Sequence, residues 1–239
     1  MQNVGVDEAR NNFMLNSLPS ADYEWLRPRL KEVELQQNDV LYSREEQVTA
    51  IYFPATCLLS WTNSTDMGEI VEIGVTGNEG MAGIILLLGE TIAPWQVEVQ
   101  LTGRAFKLSA ADFSNALDRS GILRKRAAAF AYLKLLQLSQ SALCNRFHSV
   151  EERLCRWLLA AQDRTQTSEF SFTRDILAEM IGAGRPAVSI TTGILQSAGL
   201  IRASRGNITI LDRQGMEDAA CECYQIVKDA LDRYLAKEI

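Results

Sequence analysis

Residues Phe172–Ile201 read FTRDILAEMIGAGRPAVSITTGILQSAGLI, two short helical patterns on either side of the turn Gly182-Ala183-Gly184. Thr173 can cap a first helix, because its hydroxyl can accept from a free amide of the first turn. Ile176, Leu177, Met180 and Ile181 then fall on an inward face. The two glycines supply the permissive backbone of a tight turn. A second helix starts at Arg185, where Pro186 is acceptable because a first-turn amide hydrogen has no intrahelical use. This is the layout of a helix-turn-helix. The same layout is common in all-helical packing, so by itself it leaves DNA contact and plain packing both open.

On the second helix Val188, Thr191 and Leu195 fall toward the first, while Arg185, Pro186, Ser189, Ile190 and Gly193 fall on the other face. An exposed face of small residues led by an arginine suits the major groove, where arginine can donate two hydrogen bonds to guanine. Arg174, at the start of the first helix, is suited to hold a phosphate. Downstream, LIRASRGNITILD reads as strand 200–203, a turn SRGN, and strand 208–211. A hairpin there makes a winged helix, with Arg205 at the wing tip aimed at the DNA backbone. The wing and its arginine favour DNA contact over plain packing.

Working back along the chain, TQTSEFS reads as a polar connector, preceded by an amphipathic helix that starts near Ser149. Before it, ILRKRAAAFAYLKLLQLSQSALCNRF is a long helix with good formers throughout. Ile122, Ala129, Leu133, Leu136, Leu143 and Phe147 draw a stripe along it, interrupted by Gln140. That stripe can pack on the chain's own strands or pair with the same helix of a second subunit. The second subunit is preferred, because the stripe outlasts what a small strand domain covers.

From about Val33 to Leu108 the apolar residues come in short runs, DVLY, AIYF, CLLSW, EIVEIGV, WQVEVQL and AFKL, divided by turn-like TNSTDMG and VTGNEG. Even spacing of short strands indicates a small antiparallel barrel, sandwich or roll. The expected class is therefore α+β, and three regions are expected: an antiparallel β-roll sensor domain with N-terminal helices (1–118), a long dimerisation helix (119–147), and a winged helix-turn-helix with a C-terminal helical extension (148–239).

Composition fits a folded protein: of 239 residues 47% are hydrophobic, and the net charge is −6. That charge excludes indiscriminate coating of nucleic acid. The segment 149–213 nevertheless carries eight arginines against seven acids, while the remainder is strongly acidic, so this segment can approach phosphate without a repulsive field. The amino terminus lacks a basic start and apolar run, and MAGIILLLG is too short to span a bilayer, so a cytoplasmic protein with no membrane partner is expected.

In the order roll, long helix, short helix and winged helix, and in FTRDILAEMIGAGRPAVSITTGILQSAGLI followed by RGNITILDRQGME, the sequence resembles the cyclic-AMP receptor protein superfamily of bacterial transcription regulators, which includes the fumarate and nitrate reduction regulator. The resemblance covers roughly Leu30 to Glu217. It implies a cyclic-nucleotide-binding-like roll and a homodimer joined by the long helices, with the second helix of each helix pair in one half of a near-palindromic stretch of double-stranded DNA. By position it makes Arg174 a phosphate contact and Arg185 the reader of a guanine. It also implies RNA polymerase as a partner if the protein is an activator. Family members often carry Glu and a second Arg where this chain has Pro186 and Ile190, so their operator sequence is not carried over.

The resemblance also shows departures. The turn before the family's cyclic-nucleotide cassette survives as Gly77 and Asn78, but its Arg-Ser pair aligns near Ala93 and Pro94, which offer no cation to a buried phosphate. Cyclic AMP binding of the usual kind is not expected. No cysteine precedes Cys57, which excludes the family's amino-terminal iron–sulfur ligation. Trp95 and GIILLLG are expected to line or fill the roll. Of the cysteine spacings only Cys221-Glu222-Cys223 hints at a metal, and it has neither a second cysteine pair nor a histidine nearby in sequence, so idle buried thiols, no metal and no cofactor are expected. His148, the single histidine, reads as a hinge or surface residue. With no acid–base pair at a meaningful spacing, an enzyme is not expected. The alternative is a small-molecule or redox sensor whose winged helix serves protein contact.

Overall fold

The computed structural model describes residues 7–204 and 206–236. They fall into two compact units, one of residues 7–59 with 76–131 and the other of 60–75 with 132–236.

The first unit opens with α1 (Phe13–Asn16) and α2 (Ser20–Leu26). Asn12, fully buried, accepts from the Met14 amide and donates to the carbonyls of Pro54 and Gly80 at 2.9 and 2.7 Å, which fastens these helices to the strands. An outer strand absent from the sequence reading, β1 (Lys31–Leu35), precedes β2 (Val40–Tyr42) and β3 (Ala50–Pro54). Its alternating charges hide it: only Leu35 is buried. Beyond β4 (Leu58–Ser64) and β5 (Ile70–Thr76) come β6 (Gln96–Leu101) and β7 (Gly103–Ser109). The antiparallel sheet β1-β7-β3 and the antiparallel pair β2–β6 form the strand core of this unit. All six expected strand runs are strands. Within GIILLLG, Ile84 and Ile85 are buried and Leu88 is exposed, so it caps the core only in part; Trp95 is half-buried.

Helix α3 (Ala110–Arg119) is capped by Ser109 and ends at Ser120, whose hydroxyl in turn accepts from Leu123 at the start of α4 (Gly121–Phe147). The first half of α4 lies so close to the strand domain that a Cβ on Gly80 would stand 2.0 Å from the Phe130 ring, a contact only glycine permits.

The second unit holds the rest of α4, then α5 (Val150–Thr165), started by a capping box between Ser149 and Glu152. Strand β8 (Glu169–Phe170) lies in what reads as a connector. Two residues are too short for a periodic signal; tertiary packing makes them a strand, with Phe170 buried, stacked on Phe172 and paired to β10. Then follow α6 (Arg174–Ile181), α7 (Arg185–Ser197), β9 (Ile201–Ser204), β10 (Asn207–Ile210), α8 (Arg213–Ala219) and α9 (Glu222–Ala236). Both α8 and α9 pack on α5. Arg213 ties them there: it donates to Gln162, Asp163 and Tyr224 at 2.8, 2.8 and 2.6 Å and pairs with Glu217 at 2.9 Å.

A buried carboxyl sits in the same unit. Glu72 accepts from Ser60 Oγ at 2.8 Å and Trp157 Nε1 at 2.7 Å, and burial pushes its pKa up to about 7 against these bonds and the nearby Arg156 and Lys134 cations.

Candidate nucleic-acid interface

The Thr173 hydroxyl accepts from the Ile176 amide at 3.2 Å and so starts α6; Gly182, at φ 59°, ends it. The turn is held from below. Arg153 of α5, buried, donates from Nη1 to the carbonyls of Ile181 and Gly182 at 2.8 and 3.3 Å, groups the end of α6 would otherwise leave unpaired. Helix α7 then begins at Arg185 with Pro186 in its first turn.

Val188, Thr191 and Leu195 are buried, as expected of the inward face. Arg185, Pro186, Ile190 and Gly193 are exposed and Ser189 is half-buried. Ile194, 49% exposed beside Ile190 at 66%, extends that face with a second apolar side chain the sequence reading omits. Arg185 Nε lies 3.3 Å from Asp175 Oδ1, and both side chains are more than half exposed. Arg205 lies outside the described residues.

The wing is the hairpin β9–β10, in register from Asn207↔Ser204 to Ile210↔Ile201. Gln196, near the end of α7, accepts from the Ala203 amide at 2.9 Å and fixes the wing to the helix. Between the start of α6 and the wing lies a cleft of about 300 Å³, lined among others by Thr173, Arg174, Arg185, Ser204 and Asn207. Arginine side chains and a helix amino terminus facing one concavity suit an anionic oxygen.

The arginine surplus of 149–213 needs correction. Arg153 and Arg164 are buried, with Arg164 donating to the Ala160 carbonyl, and Arg213 is tied into the network that holds α8 and α9. Arg174, Arg185 and Arg202 are exposed. Counting charge along the chain cannot separate guanidinium groups that hold the fold from those that face outward.

Residues 152–219 match the Crp-like helix-turn-helix domain. The match runs from the first turn of α5 to the end of α8 and so contains the helix pair and the wing. The fold agrees with solved structures: FixK2 from Bradyrhizobium japonicum (TM-score 0.69, 14% identity, 80% of this chain and 98% of that one), a protein of the Crp/Fnr family from Eubacterium rectale (0.67, 16%, 86% and 96%), and CLP from Xanthomonas campestris (0.66, 14%, 81% and 100%). At such identities what they share with this chain is the fold. No curated protein matches the sequence.

Outside the Crp-like domain, two sequence expectations change. On α4, Leu133 is buried, Ile122, Ala129 and Leu136 are half-buried, and Leu143 is exposed. With Leu143, Tyr132 (65% exposed), Leu135 (66%) and Phe147 (72%) are large apolar groups facing out. At 100° per residue this exposed stripe is centred roughly 60° from the expected one, with Leu143 and Phe147 common to both. Cys221 and Cys223, expected to be idle, lie beside Cys144 and His148, with one donor atom from each within 4.8 Å of the others. The spacing Cys144-x₃-His148, one helical turn, was the available signal.

Proposed function

We propose that the protein is a sequence-specific DNA-binding transcription regulator that acts as a homodimer on a near-palindromic operator. The observation that carries this reading is the exposed face of α7, led by Arg185 and followed by Ile190, Gly193 and Ile194, beside a cleft that Arg174 and the wing share. Arg185 reads a guanine edge, the isoleucines meet thymine methyl groups, and Arg174 with the capped start of α6 holds a phosphate. Pro186 and Ser189 complete the approach of the first turns. Tyr132, Leu135 and Leu143 support a dimer seam along α4, where one chain leaves them uncovered. The absence of a cation at Ala93 and Pro94 supports a roll that does not take cyclic AMP in the usual way. No helix among the described residues is long and apolar enough to cross a membrane, which fits a regulator working in the cytoplasm, with RNA polymerase as partner where it activates.

The test is selection of fragments from sheared bacterial DNA by the purified protein without added ligand, followed by sequencing. Enrichment of a palindrome whose half-sites lie about one helical turn apart is the expected result. Binding with no preference over random DNA at any salt concentration overturns the reading.

A further inference from the structure

Cys144 and His148 lie just before the Crp-like domain and Cys221 and Cys223 just after it, so the four side chains come from its two flanks. At the end of α4 the His148 amide donates to the Cys144 carbonyl at 3.1 Å, which puts the two side chains one turn apart on one face. At the start of α9 the Cys221 carbonyl accepts from the Tyr224 amide at 2.9 Å, and the intervening Glu222 is largely exposed while both cysteines are buried. Cys144 Sγ is 3.5 Å from Cys221 Sγ, and Cys223 Sγ is 3.6 Å from His148 Nδ1.

These separations fit one ion. Around a tetrahedral zinc with Zn–S bonds of about 2.3 Å, neighbouring sulfurs stand about 3.8 Å apart, so the four donors need only small adjustments to close on a common centre. A cluster of several irons distributes its ligands over different metal atoms and needs them spread wider than the 4.8 Å found here.

The surroundings point the same way. With Nδ1 turned to the thiols, His148 Nε2 lies 3.3 Å from a Glu222 carboxylate oxygen, the outer contact that fixes the tautomer of a metal-bound histidine. Arg156 lies beside Cys144 and offsets the negative charge that three thiolates leave on a divalent ion. Cys57 and Cys155 lack such company: burial pushes both thiols up to about 12, with the Glu151 and Glu152 charges adding to it at Cys155.

We propose that Cys144, His148, Cys221 and Cys223 bind one Zn²⁺ in a Cys₃His tetrahedron that clasps the end of α4 to the start of α9. The clasp closes the two flanks of the Crp-like domain on each other, and it is independent of whether that domain reads DNA.

Full-length protein purified under reducing conditions is expected to carry about one zinc per chain by elemental analysis. After removal of zinc, titration with Co²⁺ alone is expected to give the visible bands of tetrahedral cobalt and thiolate charge transfer in the near ultraviolet. Cys223→Ser and His148→Ala lose that spectrum, while Cys57→Ser and Cys155→Ser keep it. Because loss of a buried cysteine can disturb packing by itself, Glu222→Gln is the sharper variant: its circular dichroism stays unchanged while its Co²⁺ affinity falls about 10-fold or more. Folded, reduced wild-type protein with neither stoichiometric zinc nor a cobalt spectrum overturns the proposal. So does iron with acid-labile sulfide in place of zinc, a Cys144–Cys221 disulfide that persists in reductant, or unchanged cobalt affinity in Glu222→Gln.

Discussion

Arg185, on the outer face of α7, is exposed and pairs with Asp175 at 3.3 Å, whereas Arg153, in α5 of the same unit, is 8% exposed and donates from Nη1 to the carbonyls that end α6. Glu72 and Asp175 contrast in the same way: one is buried against Ser60 and Trp157, the other is in solvent. Side chains of the same charge thus divide into a set that is locked inside the fold and a set that faces what the helix pair meets. The first set should answer to denaturant and pH, the second to DNA.

The largest effect should come from the buried set. Arg153→Met keeps most of the stem and removes the donors, leaving the Ile181 and Gly182 carbonyls unpaired at about 1–3 kcal/mol each. A loss of about 3–4 kcal/mol is expected, read as a lower urea midpoint at unchanged slope. A loss below about 1 kcal/mol would mean that Gly182 alone holds the turn and that the contrast with Arg185 is empty.

Glu72 sharpens the comparison through pH. Its folded pKa near 7 lies above the ordinary 4.5, so the folded protein keeps a proton that the unfolded chain has released. The stability this contributes is fully present below about pH 4.5 and is lost as pH rises through about 7, an amplitude of about 3 kcal/mol. In Glu72→Gln the amide still accepts from Trp157 and donates to Ser60, and that slope should vanish. Chemical denaturation of both proteins between pH 4.5 and 8 checks it; equal slopes would remove Glu72 from the account.

For the exposed set the readout is DNA. Arg185→Ala should cost about 1–3 kcal/mol on the selected operator and relax one base position, while Arg174→Ala should weaken all sequences alike and lower the salt slope by about one. Fluorescence anisotropy over a salt series separates the two. If both variants weaken every sequence equally, neither reads a base.

The helix pair was legible because its signals are local: a capping threonine, glycines at the turn, and three- and four-residue spacing of apolar groups. The six principal strands were legible from alternation and turn residues. What was not legible depends on partners distant in sequence. Strand β8 exists because Phe170 packs on Phe172 and pairs with β10, and two residues carry no period. The outward stripe of α4 is centred roughly 60° from the expected one because its leucines, tyrosine and alanines are apolar on more than one face, and only packing decides that Leu133 turns in and Leu135 out. The thiol cluster joins residues on both flanks of the Crp-like domain, and no spacing rule spans that distance. Arg153 and Arg185 are the same letter; burial alone tells them apart.

Gly193 tests the comparison with opposite signs in one variant. It stands inside α7, exposed, and a Cβ built there meets nothing within 4 Å. Glycine in a helix interior costs about 0.5–1 kcal/mol relative to alanine, so no contact among the described residues accounts for it. On the groove-facing side of α7 its missing side chain lets the helix backbone approach DNA closely. Gly193→Ala should therefore raise the thermal midpoint in the free protein while weakening binding to the selected operator, and the two measurements on one preparation decide the matter. A variant that gains stability and binds as before would take this part of α7 out of the groove and leave Arg185 and the first turn as the whole of its reading face.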